Sequence, residues 1–125
     1  GGDVIVEKKE AWACTQRLLK LLDEINDLYE DVRTTKKQYD FTNEVEPFAE
    51  KTDELTMNWQ QQMEAIIEKQ RGYFIGERHI EQVVENMRQL SVQAFYWSTS
   101  YNRFKSYLQS TKFLLKTMER QLKEN

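Results

Sequence analysis

Apolar residues that alternate spacings of three and four extend through most of this chain, and this pattern constrains the fold more than any other feature. In the first third it forms a heptad seam, the line of residues that a helix buries against a neighbour. Its members are Ala11, Cys14, Leu18, Leu21, Ile25, Leu28 and Val32. Leu19, Leu22 and Tyr29 widen the seam into the stripe typical of a helix in a bundle. We therefore predict a first helix over residues 4–34.

A comparable seam occupies the second half of the chain. A third helix is predicted from about Glu77, with the seam Ile80, Val83, Met87, Leu90, Ala94, Trp97 and Tyr101. The pattern continues without a slip through Phe104, Leu108, Thr111, Leu115, Met118 and Leu122. Spacing alone allows one very long helix, but Ser98, Thr99, Ser100 and Asn102 are poor helix formers and good caps. We predict a break there, with Ser100 or Asn102 as the N-cap of a fourth helix that ends near Lys123.

Residues 38–71 lie between the two seams and hold Pro47, the only proline. Asn43 and Glu46 fit a capping box, and Pro47 falls near the first turn of the helix that this box would start. The pattern predicts a short extra helix or kink around residues 42–51. A longer second helix then extends to about residue 70, with an apolar face of Leu55, Trp59, Met63, Ile66 and Ile67.

Few residues in the chain break helices. Apart from Gly1 and Gly2, which have the character of a cloning remnant, only Pro47, Gly72 and Gly76 are strong breakers. A β-rich or α/β domain of 125 residues would need more turn residues. We predict a single all-α domain over residues 1–125, an antiparallel up-and-down four-helix bundle.

Gly72 and Gly76 bracket three apolar residues, Tyr73, Phe74 and Ile75. Three such residues in a loop between helices are rarely all exposed. We expect them to fold over the end of the bundle as a lid on the core, and a ligand gate is the alternative interpretation.

Charge and cysteine content exclude several classes of partner. The net charge is −3 with both signs interspersed, and the basic residues form no block larger than the pairs at 8–9 and 36–37. Nucleic-acid binding by phosphate neutralisation needs a denser basic stripe, so no nucleic-acid partner is expected. We expect no membrane partner either, because no apolar stretch approaches a bilayer span. The single cysteine and the lack of a signal sequence predict a cytoplasmic protein.

The residues that could support metal or covalent chemistry are scarce. A di-iron bundle needs Glu-x-x-His motifs, but the chain has one histidine, His79, and none of these motifs. We interpret His79 as a surface or boundary residue, with axial haem ligation as the minor alternative. Cys14 lies on the first seam and is expected to be a small buried hydrophobe. We expect no catalytic residue, no metal, no cofactor and no enzymatic activity.

Several short motifs resemble a known family. In order, they are Tyr39-Asp40-Phe41, Pro47, Asp53-Glu54-Leu55, Trp59 and Arg103-Phe104-Lys105. Their order and spacing are similar to those of the YppE-like proteins of bacillus-type Gram-positive bacteria, over about residues 38–122. The resemblance implies an up-and-down four-helix bundle and carries over no catalytic residue, because the family is of unknown function.

Tyr39, Asp40 and Phe41 form the first candidate partner-binding site. In one interpretation Asp40 caps the following helix while the two rings pack against the end of the bundle. In the other, the three residues dock a peptide or a partner protein.

A second apolar face is expected on the third helix. Val92, Phe95, Tyr96 and Thr99 have helical spacing on a side that differs from the seam. The favoured interpretation is internal cover by the segment that carries Phe41, Val45 and Phe48. The alternative is a protein interface, which Phe113 would extend from the fourth helix.

The sequence therefore favours a small non-enzymatic bundle that acts through protein–protein contact. The partner would be an unidentified protein or a second copy of the chain. The alternative function is the binding of a small apolar or aromatic ligand within the bundle.

Overall fold

The computed structural model describes residues 2–69 and 76–124. Over these residues the chain forms four α-helices, and a π-helical turn, Phe41–Val45, leads directly into the second. The helices are α1 (Gly2–Thr35), α2 (Glu46–Lys69), α3 (Glu77–Gln93) and α4 (Tyr101–Glu124). This confirms the predicted all-α fold and the approximate bounds of the first helix. None of the helices in the described stretches is long and apolar enough to cross a membrane.

The helices alternate in direction, as polar contacts between their surfaces show. Lys69 at the end of α2 pairs with Glu7 near the start of α1, with 2.7 Å between Nζ and Oε1. Lys105 near the start of α4 pairs with Glu30 near the end of α1 at 3.3 Å. Helices α1 and α3 each pack against both α2 and α4. The result is the predicted antiparallel up-and-down bundle.

The predicted seams form one hydrophobic core that all four helices share. The buried members are Ala11, Cys14, Leu18, Leu21, Ile25, Val32, Trp59, Met63, Ile66, Ile80, Val83, Met87, Leu90, Ala94, Phe104, Leu108, Leu115, Met118 and Leu122. Leu28, Leu55 and Ile67 are partly buried against them. Two residues of the third seam, Trp97 and Tyr101, are exposed instead, so the prediction is wrong for these two.

The capping box predicted from Asn43 and Glu46 is wrong, because Asp40 is the cap. Its Oδ2 accepts a hydrogen bond from the Asn43 backbone N–H at 2.7 Å. In return, Glu44 Oε2 accepts a hydrogen bond from the Asp40 backbone N–H at 3.1 Å. Glu44 follows the cap by four residues, whereas the acid of a capping box on a regular α-helix follows it by three. The extra residue fits the wide first turn, in which the Val45 N–H reaches the Asp40 carbonyl at 3.1 Å.

The short extra element expected around residues 42–51 is present as this π-helical turn, but no break separates it from α2. The helix continues through Lys51, and the Thr56 hydroxyl donates to the Thr52 carbonyl at 2.7 Å, a bond of the α-helical spacing. Pro47 lies in the first turn of α2, directly after the π-helical turn, and has no N–H to donate to the carbonyls of that turn.

The break between α3 and α4 is confirmed at residues 94–100. The loop between α2 and α3 is described only at Gly76, which precedes α3. The predicted lid of Tyr73, Phe74 and Ile75 lies outside the described residues.

Candidate functional site

Two connections meet at one end of the bundle, residues 36–40 between α1 and α2 and residues 94–100 between α3 and α4. We call these connections and the helix residues beside them the loop end. The Tyr39 and Phe95 rings join the two connections edge to face, with 5.0 Å between their centroids. The Tyr29 hydroxyl of α1 donates to the Thr99 carbonyl at 2.6 Å and ties the second connection to the core. Both connections are therefore held in defined positions.

Lys36 ends α1 in a left-handed conformation, with φ of 56°. Its N–H donates to the Val32 carbonyl at 2.7 Å, so it closes the last turn as a C′ residue usually does. The chain then extends to Asp40, which caps the π-helical turn. Between these two points Lys37 and Tyr39 lie side by side at the surface of the loop end.

The second connection ends α3 earlier than the seam predicts. The Gln93 carbonyl accepts hydrogen bonds from the Tyr96 N–H at 3.1 Å and the Thr99 hydroxyl at 3.0 Å. Ser100 then caps α4, because its Oγ accepts from the Arg103 N–H at 3.4 Å. The prediction of Ser100 as a cap is confirmed.

The early end of α3 corrects the predicted second apolar face. Val92 is helical and partly buried, but Phe95, Tyr96 and Thr99 lie beyond the helix and do not share one stripe. Phe95 is only 6% exposed, whereas Tyr96 is 42% exposed. The helical spacing of these residues was therefore a misleading signal.

Internal cover of Phe95 is confirmed, and the covering residues differ in part from those predicted. The Tyr39 ring packs edge to face on Phe95, and the Phe48 ring of α2 does the same at 5.5 Å. Val45 is buried, but Phe41 is exposed and does not pack as predicted. Asp40 therefore caps the helix and Tyr39 packs against the end of the bundle, as the first interpretation of this motif predicted, while Phe41 does not pack there.

Exposed aromatic rings are concentrated at the loop end. Eight large hydrophobic side chains are exposed among the residues that the structure describes: Ile5, Val6, Phe41, Met57, Tyr96, Trp97, Tyr101 and Phe113. Four of the five aromatic members flank or belong to the two connections. Phe113, the fifth, lies twelve residues after Tyr101, about 18 Å further along α4. It therefore does not extend the aromatic surface of the loop end.

Four cations lie over the rings of the loop end, and one of them, Lys105, lies 5.4 Å from the centroid of Tyr101 and pairs with Glu30. Arg33 lies 4.8 Å from the centroid of Tyr101, Lys36 lies 5.1 Å from that of Trp97, and Lys37 lies 4.5 Å from that of Tyr39. These distances are typical of cation–π contacts.

None of the carboxylates in the described part of the chain lies within 4.0 Å of Arg33, Lys36 or Lys37. The rings position the cations without neutralising them. Their charges therefore stay available to an anion from outside the molecule.

A cleft of about 270 Å³ opens at the same place. It is lined by Lys37, Gln38, Tyr39, Phe95, Tyr96, Trp97 and Ser98. The lining combines four aromatic rings with one cation and no carboxylate. Such a cleft suits an apolar or aromatic side chain with a negative charge beside it.

The other residues with chemical potential have structural tasks. Cys14 is buried in the core, and this burial raises the pKa of its thiol, while Arg17 lowers it in part. His79 Nδ1 accepts a hydrogen bond from the Gly76 N–H at 3.2 Å at the start of α3. Both residues lie where the sequence predicted them. In the described stretches, no three His, Cys, Asp or Glu side chains group as metal ligands would.

Sequence reasoning missed Arg33, Trp97 and Tyr101 as members of this surface. Lys36 and Lys37 were noticed as a basic pair after the first helix but not as members of this surface. The available signal was the aromatic run at residues 95–97 immediately before Ser98, where the predicted helix was already expected to weaken. Rings at a helix end are less constrained to face the core than rings in mid-helix.

The four helices and the loop end define a bundle protein with an aromatic and basic surface at one end. Residues 15–122 match a family described as a bacterial domain of unknown function, DUF1798. The chain belongs to this family, which confirms the resemblance to YppE-like proteins.

Individual relatives agree with this assignment. The uncharacterized protein YppE of Bacillus subtilis is 25% identical over 101 residues, which cover 81% of this chain and 82% of YppE. A crystal structure of a Listeria innocua protein of unknown function has a TM-score of 0.91 at 24% identity and covers 96% of both chains. A Staphylococcus aureus DUF1798 domain has a TM-score of 0.83 at 22% identity, over 91% of this chain and 96% of that one. The structural likenesses show that the fold is shared.

Proposed function

We propose that the protein is a non-enzymatic adaptor that binds another protein through the loop end of its bundle. The observation that carries this proposal is the cluster of four exposed aromatic rings beside three unneutralised cations. Aromatic side chains and arginine are enriched where protein interfaces concentrate their binding energy. Exposed apolar clusters on a monomer commonly mark interaction sites.

The absence of an enzymatic role is part of the same proposal. Its support is that the two residues most suited to catalysis are used for structure: Cys14 packs in the core and His79 caps α3. A buried thiol with a raised pKa is a weak nucleophile, because the thiolate is the reactive form. A cytoplasmic location is proposed on the basis of the single free cysteine.

A second candidate function is the binding of a small apolar or aromatic molecule. The observation in its favour is a cleft of about 260 Å³ at the opposite end of the bundle from the loop end. It is lined by Ile5, Lys8, Lys9, Trp12, Leu122 and Lys123. The buried Trp12 Nε1 beside it has no hydrogen-bond partner within the described residues, so it would suit a ligand that accepts a hydrogen bond. Native mass spectrometry of the purified protein distinguishes this candidate by an added mass.

Affinity capture with paired variants tests the proposed function. The immobilised wild type, Trp97→Ser and Phe113→Ser are incubated with lysate of a bacterium that encodes the protein, and retained proteins are compared by quantitative mass spectrometry. Trp97 and Phe113 are both exposed aromatic residues, so the two variants remove similar surface from different places.

We expect the wild type and Phe113→Ser to retain the same protein and Trp97→Ser to lose it. Equal retention by all three would contradict docking at the loop end. Preferential loss with Phe113→Ser would place the interface on the exposed side of α4 instead.

A further inference from the structure

We propose that the loop end recognises a short acidic peptide segment that carries one aromatic or large apolar side chain. The side chain would enter the cleft between Tyr39 and Trp97, and flanking carboxylates would pair with Lys36 and Lys37. This inference rests on the proposed function and names the chemistry of the partner.

Charge complementarity carries the first part of the argument. Further along the bundle Lys112 pairs with Asp23, and Lys105, which also lies over Tyr101, pairs with Glu30. At the loop end, Lys36 and Lys37 have rings as neighbours and no described carboxylate within 4.0 Å. A segment with two or more carboxylates would supply the missing countercharges.

The arrangement of the rings carries the second part. Phe95 is buried at the base of the cleft, with Tyr39 packed edge to face on it, and Tyr96 and Trp97 line the cleft while remaining exposed to solvent. Lys36 lies over the Trp97 ring and Lys37 lies over the Tyr39 ring, and both rings line the cleft. A carboxylate bound to a lysine therefore brings the next side chain of the peptide directly to an aromatic face.

The charge around the loop end favours a short peptide over a nucleic acid. The protein carries a net charge of −3. Three exposed carboxylates lie within a few residues of Arg33, Lys36 and Lys37 in the sequence: Asp31, Asp40 and Glu44. An extended polyanion would meet these carboxylates, whereas a segment with a few charges fits between them.

Nuclear magnetic resonance titration of the full chain tests the proposal with a defined probe. The probe is an acetylated, amidated nonapeptide in which a central phenylalanine is flanked by glutamates on both sides. One matched peptide replaces the phenylalanine with alanine, and another replaces the glutamates with lysines. The Trp97→Phe variant assigns the Trp97 indole signal by its disappearance.

We expect the phenylalanine–glutamate peptide to shift the Trp97 indole signal and to leave that of the buried Trp59 in place. The alanine peptide should bind more weakly, and the lysine peptide should not bind. Lys37→Glu should weaken binding about tenfold, because one attraction becomes a repulsion. Lys116→Glu is the matched control, an exposed lysine on α4 with the same change of charge, and should alter affinity less than about twofold.

The proposal is overturned if the acidic peptide causes no shift of the Trp97 signal at millimolar concentration, or if the lysine peptide binds equally well. Tighter binding of a single-stranded oligothymidylate, lost in Lys37→Glu, would overturn it in favour of a nucleic-acid ligand. If the peptide fails while Trp97→Ser still loses a captured protein, the partner chemistry is wrong and the proposed function stands. If capture is also independent of Trp97, both proposals fail.

Discussion

Two tryptophans from predicted seams show how differently the middle of the bundle and its loop end are built. Trp59 in the middle of α2 is fully buried, and its Nε1 donates to the Thr15 hydroxyl of α1 at 2.9 Å. Trp97 is 47% exposed, because α3 has already ended at Gln93. The same residue type with the same spacing stabilises the core in one region and faces solvent in the other. Periodicity therefore locates the core only where the helix continues.

Buried polar contacts give the middle of the bundle its register. Thr15, which accepts from Trp59, donates in turn to the Ala11 carbonyl at 2.7 Å. Asn86 of α3 donates to the Thr111 hydroxyl of α4 at 3.0 Å. The Trp59–Thr15 and Asn86–Thr111 bonds join different helices and are buried, so sliding one helix along its neighbour would leave costly unpaired groups.

The largest expected effect is that of Trp59→Ala. Truncating a buried aromatic residue costs about 3 to 5 kcal/mol of unfolding free energy, and here it also leaves the Thr15 hydroxyl without its donor. Urea melts measure the loss. Trp97→Ala is the matched control and should cost less than about 0.5 kcal/mol. Equal costs for the two variants would remove the distinction between the two regions.

Tyr29→Phe tests the boundary between the regions. The Tyr29 ring is buried against Phe104, with centroids 3.9 Å apart, while its hydroxyl holds the Thr99 carbonyl of the loop end. Removing the hydroxyl keeps the packing and leaves the carbonyl unpaired, which should cost about 1 to 3 kcal/mol. Hydrogen exchange should rise at residues 94–100 more than in the middle of α1. A uniform rise would mean that the hydroxyl supports the core and not the connection.

The sequence was sufficient to predict most of the fold. Four helices, their order, the buried seams and Ser100 as a cap all follow from apolar spacing and helix-breaking residues. These signals are local, because each helix must bury one face whatever its partners are. The same spacing predicted that Cys14, on a seam, is buried and that His79, off the seam, lies at the surface or its boundary.

The candidate site could be predicted only in part. Tyr39 and Phe95 were among the predicted residues, but the cations that lie over the rings were not. Their positions depend on where α1 and α3 end, and that is decided by tertiary contacts such as the Tyr29–Thr99 bond. Asp40 was predicted as a cap in one interpretation, but the capping box was placed at Asn43 and Glu46, because the acid that answers Asp40 is one residue further on in a π-helical turn.

Lys36→Gly tests the backbone of the loop end. A non-glycine residue in the left-handed region carries about 1 to 2 kcal/mol of strain, which glycine avoids, and Lys36 has φ of 56°. Lys36→Ala is the control, since both variants lose the contact with Trp97 and only alanine keeps the strain. Glycine loses more backbone entropy on folding, which offsets part of the relieved strain. The glycine variant should therefore be more stable than the alanine variant by about 1 kcal/mol in urea melts. An alanine variant of equal or greater stability would mean that residue 36 carries no strain.

The unfolding free energy of Tyr96→Glu tests most directly whether the exposed rings of the loop end form a surface separate from the core. Tyr96 is 42% exposed beside Phe95, which is 6% exposed. Urea melts should place Tyr96→Glu within about 0.5 kcal/mol of wild type, because surface substitutions rarely exceed this amount. A loss of several kcal/mol, as expected when a charge enters a buried site, would show that Tyr96 belongs to the core and would contradict a docking surface at the loop end.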